Sequence, residues 1–112
     1  QLIEEVILNL LNNAAEALGD GPEEKIIRIA SAFMDNKLTV TVEDNGPGVP
    51  RELREKIFEP FYTSKDHSTG IGLSLCHRVI VDHKGTLTAG SSEYGGAKFL
   101  ITLPSLSGQK EE

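Results

Sequence analysis

Hydrophobic residues near the start of the chain recur at three- and four-residue intervals, which predicts an amphipathic helix over residues 2–18. The Gly-Asp-Gly-Pro sequence of residues 19–22 is a typical helix stop. At about 100° per residue, one arc of this helix, centred on Leu10, holds the apolar side chains and is expected to face the core. These side chains are Ile3, Val6, Ile7, Leu10, Ala14, Ala17 and Leu18.

Alternating and β-branched residues over 25–33 and 37–43 predict a hairpin that turns at Asp35-Asn36, because both residue types tolerate positive φ. A second hairpin is predicted from residues 86–89 and 98–103, around the polar segment 91–96. Between the hairpins we expect a loop over 44–50, a short helix over 51–57, a long loop over 58–69 and a helix over 71–83. This order predicts an α+β two-layer sandwich, with a mixed or antiparallel sheet covered by helices on one face.

Composition limits the possible functions. The 112 residues carry 11 Lys and Arg against 17 Asp and Glu, a net charge of −6, and contain no Trp, which counts against a nucleic-acid surface. No apolar run approaches the ~20 residues that span a bilayer. A lone Cys76 excludes an internal disulfide and fits a reducing compartment, and no Cys/His spacing suggests a zinc site. We expect one cytoplasmic domain over 1–104 with a flexible tail over 105–112. It is expected to be excised from a longer protein, either cytoplasmic or membrane-anchored, because the helix pattern is already present at residue 1.

Asparagines on the first helix form the first candidate site. Asn9 and Asn13 are four residues apart and share one face of the helix. Asn13 lies about 60° from the centre of the apolar arc, at the border of the core. An amide oxygen there suits Mg²⁺, which takes oxygen ligands and keeps waters and phosphate oxygens. The alternative is a solvated pair of asparagines.

The Asp-Asn-Gly-Pro-Gly sequence of residues 44–48 follows the second predicted strand. Its glycines allow a close approach of the backbone, and the Asp44 carboxylate is a suitable acceptor for the exocyclic amine of adenine. The alternative is a turn closed by the aspartate side chain.

The Ser-Thr-Gly-Ile-Gly-Leu-Ser sequence of residues 68–74 opens the second long helix. Free N–H groups and the helix dipole at such a position bind phosphate, although Ser68 or Thr69 is equally suited to an ordinary helix cap. The preceding segment 58–65 combines aromatic residues with Lys65, a cation suited to a polyphosphate. None of the three histidines lies at a metal-ligand spacing.

In this order and spacing, these sequences resemble the boxes of sensor histidine kinases. Residues 9–17 resemble the Asn box, 44–48 the first glycine box, 58–61 the Phe box and 69–73 the second glycine box, and residues 95–104 are similar to the final glycine turn and strand. The chain is thereby identified as a member of the catalytic, ATP-binding domains of two-component histidine kinases. These belong to the gyrase/Hsp90/MutL-type superfamily, whose ATP-binding sandwich is the Bergerat fold.

The resemblance implies an ATP·Mg²⁺ site with an adenine end and a phosphate end. It implies that Asp44 binds the adenine amine and that Asn13 coordinates Mg²⁺, with Asn9 in support. It also implies a lid over 58–69, similar to those of nitrogen-regulation-type kinases, with Lys65 at the γ-phosphate. The implied nucleotide-binding residues are Asn9, Asn13, Asp44, Gly46, Gly48, Tyr62, Lys65, Thr69, Gly70, Ile71, Gly72 and Leu73.

The implied activity is transfer of the γ-phosphoryl group to a histidine on a dimerisation and phosphoacceptor domain of the same protein, outside this chain, and from there to the receiver domain of a response regulator. No histidine of the chain lies in an acceptor sequence, and Glu16 stands where many members have a basic residue. The dimerisation helices and the strand that usually precedes the first helix are absent. No general base is assigned, and a monomer is expected. The alternatives are another ATPase of the superfamily, a protein-serine kinase of the anti-sigma-factor type, and a degenerate nucleotide-binding module.

Overall fold

The computed structural model describes residues 2–19, 21–60 and 72–104. In chain order the elements are helix α1 (Leu2–Leu18), strands β1 (Ile27–Met34) and β2 (Lys37–Asp44), 3-10 turns at Arg51–Leu53 and Lys56–Phe58, helix α2 (Leu73–Asp82), and strands β3 (Thr86–Ser91) and β4 (Ala97–Pro104). The tail over 105–112 and most of the predicted loop over 58–69 lie outside the described residues. Among the described helices, none combines the length and the apolar character needed to cross a membrane.

The four strands form one antiparallel sheet in the order β1-β2-β4-β3. Both predicted hairpins are present, and the pairing of β2 with β4 places them side by side. The two helices pack on one face of the sheet. The predicted α+β two-layer sandwich is therefore confirmed, with an antiparallel sheet.

The turn of the first hairpin is also as predicted. Asp35 and Asn36 have φ values of 57° and 62°, and the flanking Met34 and Lys37 are paired. A two-residue turn with positive φ at both positions is of type I′, and its twist matches that of the strands it joins. Local sequence is thus enough to fix the register of β1 on β2.

The core lies between the helix-facing side of the sheet and the apolar faces of α1 and α2. Leu10, Ile80 and Ile101, one from each of α1, α2 and β4, are fully buried. The helices cover the two central strands better than β1, since Ile29 pairs with buried Val42 and is still 49% exposed. The helical layer is consequently centred on β2 and β4, and the ends of these strands carry the candidate site.

The predicted short helix over 51–57 is wrong. Its place is taken by two separate 3-10 turns, closed by hydrogen bonds from Leu53 N to Pro50 O (2.9 Å) and from Glu59 N to Lys56 O (2.9 Å). A run of seven residues is too short to favour α-helix nucleation without strong tertiary support. The second helix is also shorter than predicted, because Gly72 is its N-cap and His83 its C-cap.

Most strand ends differ by one or two residues from the prediction, for reasons of hydrogen bonding. β1 begins at Ile27 because the Asn45 side chain bonds the preceding segment, accepting from Ile26 N (2.9 Å) and donating to Glu24 O (2.7 Å). β3 and β4 extend towards each other because Ser92 N donates to Gly96 O (2.9 Å), which tightens their turn.

Candidate functional site

Asp44 is the last residue of β2 and is buried to 2% exposure. Strand alternation places it on the same side of the sheet as Val42, facing the helical layer. Its Oδ1 accepts hydrogen bonds from Gly46 N (2.9 Å) and Ala97 N (3.2 Å). Burying a carboxylate is costly unless it is hydrogen-bonded, and these two backbone donors offset that cost.

The bond from Gly46 N makes the aspartate turn that the sequence offered as the alternative interpretation of residues 44–48. This turn uses only one carboxylate oxygen. Within the described part of the chain, both hydrogen bonds to Asp44 end on Oδ1. The described residues therefore leave Oδ2 as the acceptor for a ligand, and the turn is what holds it in place.

Glycines allow three backbone segments to meet around Asp44. A Cβ atom on Gly96 would lie 2.5 Å from Gly46 N, and closer still to Oδ1 and the carbonyl oxygen of Asp44. Gly48 has a φ of +79° and lies over Gly96, with a Cβ position 3.5 Å from the Gly96 carbonyl. The glycine loop, residues 45–49, thus contacts the β3–β4 turn through backbone atoms. A residue larger than glycine at position 96 would prevent this contact.

Helix α1 lies beside the loop after Asp44 at its C-terminal end and beside α2 further towards its N-terminus. The Ala17 carbonyl oxygen lies 3.4 Å from where a Cβ of Gly46 would stand. Two turns earlier, Asn9 lines a cavity of about 110 Å³ between the helices, together with Leu75 and Cys76 of α2. Asn13 lies midway between Asn9 and Ala17 and is half-buried, as its angle on the helix predicted.

The Asn9 side chain is partly engaged by its own helix. Its Nδ2 donates to Glu5 O (3.0 Å), and this bond does not use the amide oxygen, which is a possible ligand. The described residues contain no group of three or more His, Cys, Asp or Glu side chains able to hold a metal. The described residues alone therefore do not form a complete metal site at α1, and a cation there would need further ligands.

Ala17 corrects the predicted core. It lies only about 20° from the centre of the apolar arc, closer than Leu18, yet it is exposed while Leu18 is buried. The last turn of α1 lies beside Gly46, with the Ala17 carbonyl oxygen 3.4 Å and Leu18 Cδ2 3.5 Å from where a Cβ of Gly46 would stand.

The start of α2 is uncapped by side chains. Gly72 is the N-cap, its carbonyl accepts from Leu75 N (3.1 Å) and Cys76 N (3.3 Å), and no side-chain cap bond is made. The first N–H groups of a helix lack partners within the helix, so this end can face an anion. Leu73 is half-buried against the core and Gly72 is exposed. The other residues predicted for the phosphate and lid contacts lie outside the described residues: Tyr62, Lys65, Thr69, Gly70 and Ile71.

Phe58 fixes the start of the predicted lid to the body of the domain. Its ring stacks on His77 of α2 at 5.3 Å between centroids, and it meets Phe99 of β4 edge-on at 6.3 Å. Phe58 therefore anchors this segment to α2 and β4.

Comparison with known proteins decides the family. Residues 1–107 match the histidine kinase-, DNA gyrase B-, and HSP90-like ATPases. The chain belongs to this family.

Relatives include the C4-dicarboxylate transport sensor protein DctS of Rhodobacter capsulatus, 36% identical over 92% of this chain and 16% of DctS. The sensory histidine kinase/phosphatase NtrB of Rhizobium leguminosarum bv. phaseoli is 38% identical over 93% of this chain and 30% of NtrB. The chain thus spans less than a third of the length of these curated relatives.

Solved structures support the same assignment. The nucleotide-free catalytic domain of histidine kinase ThkA superposes with a TM-score of 0.83 at 42% identity, covering 93% of this chain and 66% of that domain. ThkA has also been solved in complex with the response regulator protein TrrA, and that kinase chain matches with a TM-score of 0.75 at 39% identity over 92% of this chain and 28% of its own length. The structure is therefore that of a histidine kinase catalytic domain of this ATPase family.

Two residues of the candidate site around Asp44 are not predicted by the sequence. Gly96 was recognised only as part of a glycine turn, although its contact with Asp44 excludes any side chain. Ala97, next to it, supplies the second N–H to the carboxylate. The Gly-Gly pair before a strand is the signal for both residues. The contact of Gly96 with Asp44, 52 positions earlier in the chain, is visible only once β2 and β4 are paired.

Proposed function

We propose that this domain binds ATP together with Mg²⁺ and donates the γ-phosphoryl group to a histidine on a dimerisation and phosphoacceptor domain, from which it passes to a response regulator. Membership of the ATPase family and the similarity to the kinases DctS, NtrB and ThkA support the proposal. ThkA is a histidine kinase solved with a response regulator, which supports a partner of the same kind here.

The carboxylate of Asp44 is the observation that carries the nucleotide assignment. It is buried and anchored through Oδ1, and it is lined by glycines that keep side chains away. Adenine fits such a place because its flat ring tolerates close backbone contact and its amine donates a hydrogen bond to Oδ2. A 6-oxopurine places a carbonyl oxygen there and meets a second acceptor instead. The proposed site therefore prefers adenine.

The phosphate end of the proposed site lies along α1 and at the start of α2. Asn13 offers an amide oxygen to Mg²⁺, Asn9 supports it from one turn earlier, and the N–H groups after Gly72 face the phosphates. Bound Mg²⁺ supplies neutralisation of the polyphosphate charge. In the transfer, the bond from the γ-phosphorus to the bridging oxygen of ADP breaks and a bond to an imidazole nitrogen forms. The proposal assigns no general base in this chain.

The adenine assignment is tested by titrating ADP and IDP calorimetrically into the wild type and Asp44→Asn. Loss of a hydrogen bond to a charged group costs about 1.5–3 kcal/mol, so the affinity for ADP falls roughly 10- to 100-fold. IDP, which lacks the amine, loses much less. Asp35→Asn is the matched control, since it makes the same charge change in an exposed turn. Equal losses for ADP and IDP would remove the proposed role of Asp44.

The metal assignment is tested by comparing ATP affinity with and without Mg²⁺ in Asn13→Ala. The wild type is expected to bind more tightly with Mg²⁺, and the variant is expected to lose that gain. Asn12→Ala is the control, because Asn12 is an exposed neighbour on the same helix. An undiminished Mg²⁺ effect in Asn13→Ala would show that another group holds the metal.

The proposal has consequences for the setting of the domain. A phosphoryl donor that consumes ATP works where ATP is available, so the domain is placed on the cytoplasmic side. Dimerisation is assigned to the phosphoacceptor partner, so the isolated chain is proposed to be monomeric.

A further inference from the structure

Arg54 joins the two backbone segments that enclose Asp44. Its Nε donates to the Val49 carbonyl oxygen at 3.1 Å, and its Nη2 donates to Ser91 Oγ at 2.7 Å. Val49 ends the glycine loop over residues 45–49. Ser91 ends β3, where it pairs with Ala97 of β4.

These contacts close a ring through the carboxylate. From Asp44 Oδ1, the ring passes to Gly46 N at 2.9 Å and along the loop to Val49. Arg54 links Val49 to Ser91. Ser91 pairs with Ala97, whose N–H donates to the same Oδ1 at 3.2 Å and completes the ring. Arg54 thus links the loop to β3, as the Asp44 carboxylate links Gly46 to Ala97.

The link through Arg54 helps to fix the separation between the glycine loop and the β3–β4 turn. Where Gly48 lies over Gly96, the nearest contact is with the Gly96 backbone, 3.5 Å from the Gly48 Cβ position, so it adds no side-chain bond to the two that Asp44 Oδ1 makes. The planar guanidinium of arginine presents donors in a rigid fork, so one side chain can bond both segments at a set distance. The flexible ammonium of lysine does not reproduce that geometry.

We propose that Arg54 is a positioning residue for the adenine pocket, which sets the spacing between the glycine loop and the β3–β4 turn and thereby the direction of Asp44 Oδ2. The inference rests on the proposed function of Asp44. Arg54 itself touches neither the purine nor the phosphates in this arrangement. Its loss therefore lowers the preference for adenine over hypoxanthine, in addition to any general loss of affinity.

The test measures the ratio of ADP to IDP affinity by calorimetry in four variants. Arg54→Ala removes both bonds, and Arg54→Lys keeps the charge without the fork. Ser91→Ala removes only the hydroxyl acceptor, whereas Ser91→Thr retains it on an exposed strand position. Arg51→Ala is the control for charge, because Arg51 is exposed in the neighbouring 3-10 turn and its side chain has no hydrogen bond to the described residues.

The ratio is expected to fall roughly 3- to 10-fold in Arg54→Ala and Arg54→Lys, and by a similar or smaller factor in Ser91→Ala. Ser91→Thr and Arg51→Ala keep the wild-type ratio. Since Arg54 and Ser91 belong to one link, the double variant Arg54→Ala with Ser91→Ala loses no more than Arg54→Ala alone. An unchanged ratio in Arg54→Ala and Ser91→Ala, or an equal fall in Arg51→Ala, overturns the inference.

The outcomes separate this inference from the function on which it rests. If the wild type does not prefer ADP to IDP, the assignment of Asp44 fails. If the wild type shows the preference and the Arg54 and Ser91 variants keep it, only the positioning role fails. Thermal unfolding checks each variant, and should Arg54→Ala be unfolded at the assay temperature, Ser91→Ala decides, because it deletes one exposed hydroxyl.

Discussion

Replacing Gly96 by alanine tests whether the meeting of backbones around Asp44 is as tight as the structure shows. The added methyl group would lie 2.5 Å from Gly46 N and closer still to two oxygens of Asp44. Two of these three atoms belong to the backbone and the third is hydrogen-bonded, so none can swing aside as a flexible side chain can. The β3–β4 turn must therefore move away from β2.

The size of the effect follows from these contacts. Overpacking of a tight site costs about 1–3 kcal/mol. Moving the turn also weakens the bond from Ala97 N to the Asp44 carboxylate, and a hydrogen bond to a charged group contributes about 1.5–3 kcal/mol. Together the free energy of unfolding should fall by about 3–5 kcal/mol, out of about 5–15 kcal/mol for an ordinary domain. At about 4–8 °C per kcal/mol, the melting temperature should drop by more than 10 °C.

Urea and thermal unfolding followed by circular dichroism measure this loss. Gly90→Ala is the matched control, because a Cβ at Gly90 would meet nothing within 4 Å and the residue lies in neighbouring β3. That variant should be neutral, or more stable by about 0.4–1 kcal/mol through the unfolded state. Wild-type stability in Gly96→Ala, or an equal loss in Gly90→Ala, would show that the close approach does not exist in solution.

Two further predictions concern stability away from the site. Burial raises the pKa of the Cys76 thiol from 9.0 to about 11. The unfolded chain therefore loses this proton at a lower pH than the folded one, and the free energy of unfolding falls by about 1.4 kcal/mol per pH unit as the pH rises from 9 to 11. Urea titrations across this range should show the fall in the wild type, and a fall of the same slope in Cys76→Ala would assign it to another group. In the type I′ turn, Asn36→Gly should keep or raise the unfolding free energy, whereas Asn36→Val should lower it by about 1–2 kcal/mol because φ is 62° there. Equal stability of the two Asn36 variants in urea would contradict the turn type.

Local sequence signals predicted the parts of this fold that depend on local physics. The helix over Leu2–Leu18 follows from its apolar spacing and its glycine stop, and the first hairpin follows from Asp35 and Asn36. The burial of Val6, Leu10, Ala14 and Leu18 follows from the same spacing. These features need no knowledge of what the rest of the chain does.

The features that failed depend on distant parts of the chain. Ala17 is exposed although its helical angle places it on the apolar arc, and its neighbour Gly46 lies 29 positions later, which no helical period reveals. The 3-10 turns over 51–58 depend on how the chain leaves the glycine loop, where Arg54 is held to Val49 and Ser91. Gly96 gains its importance only when strand pairing brings it to Asp44. The family resemblance located the boxes, but the contacts between them had to come from the structure.

Helix α1 contacts two different kinds of surface along its length, side chains of α2 and the backbone of the glycine loop. At Asn9 it meets α2 through side chains around a cavity, and at Ala17 it meets the backbone of the glycine loop. These two positions are about 12 Å apart along the helix. A ligand that uses both ends must be extended. Under the proposed function it places a flat hydrogen-bonding group at Asp44 and a charged, metal-binding group near Asn13, which is the chemistry of a nucleoside polyphosphate. The proposal then assigns base preference and metal dependence to different residues, so the two properties are expected to change separately.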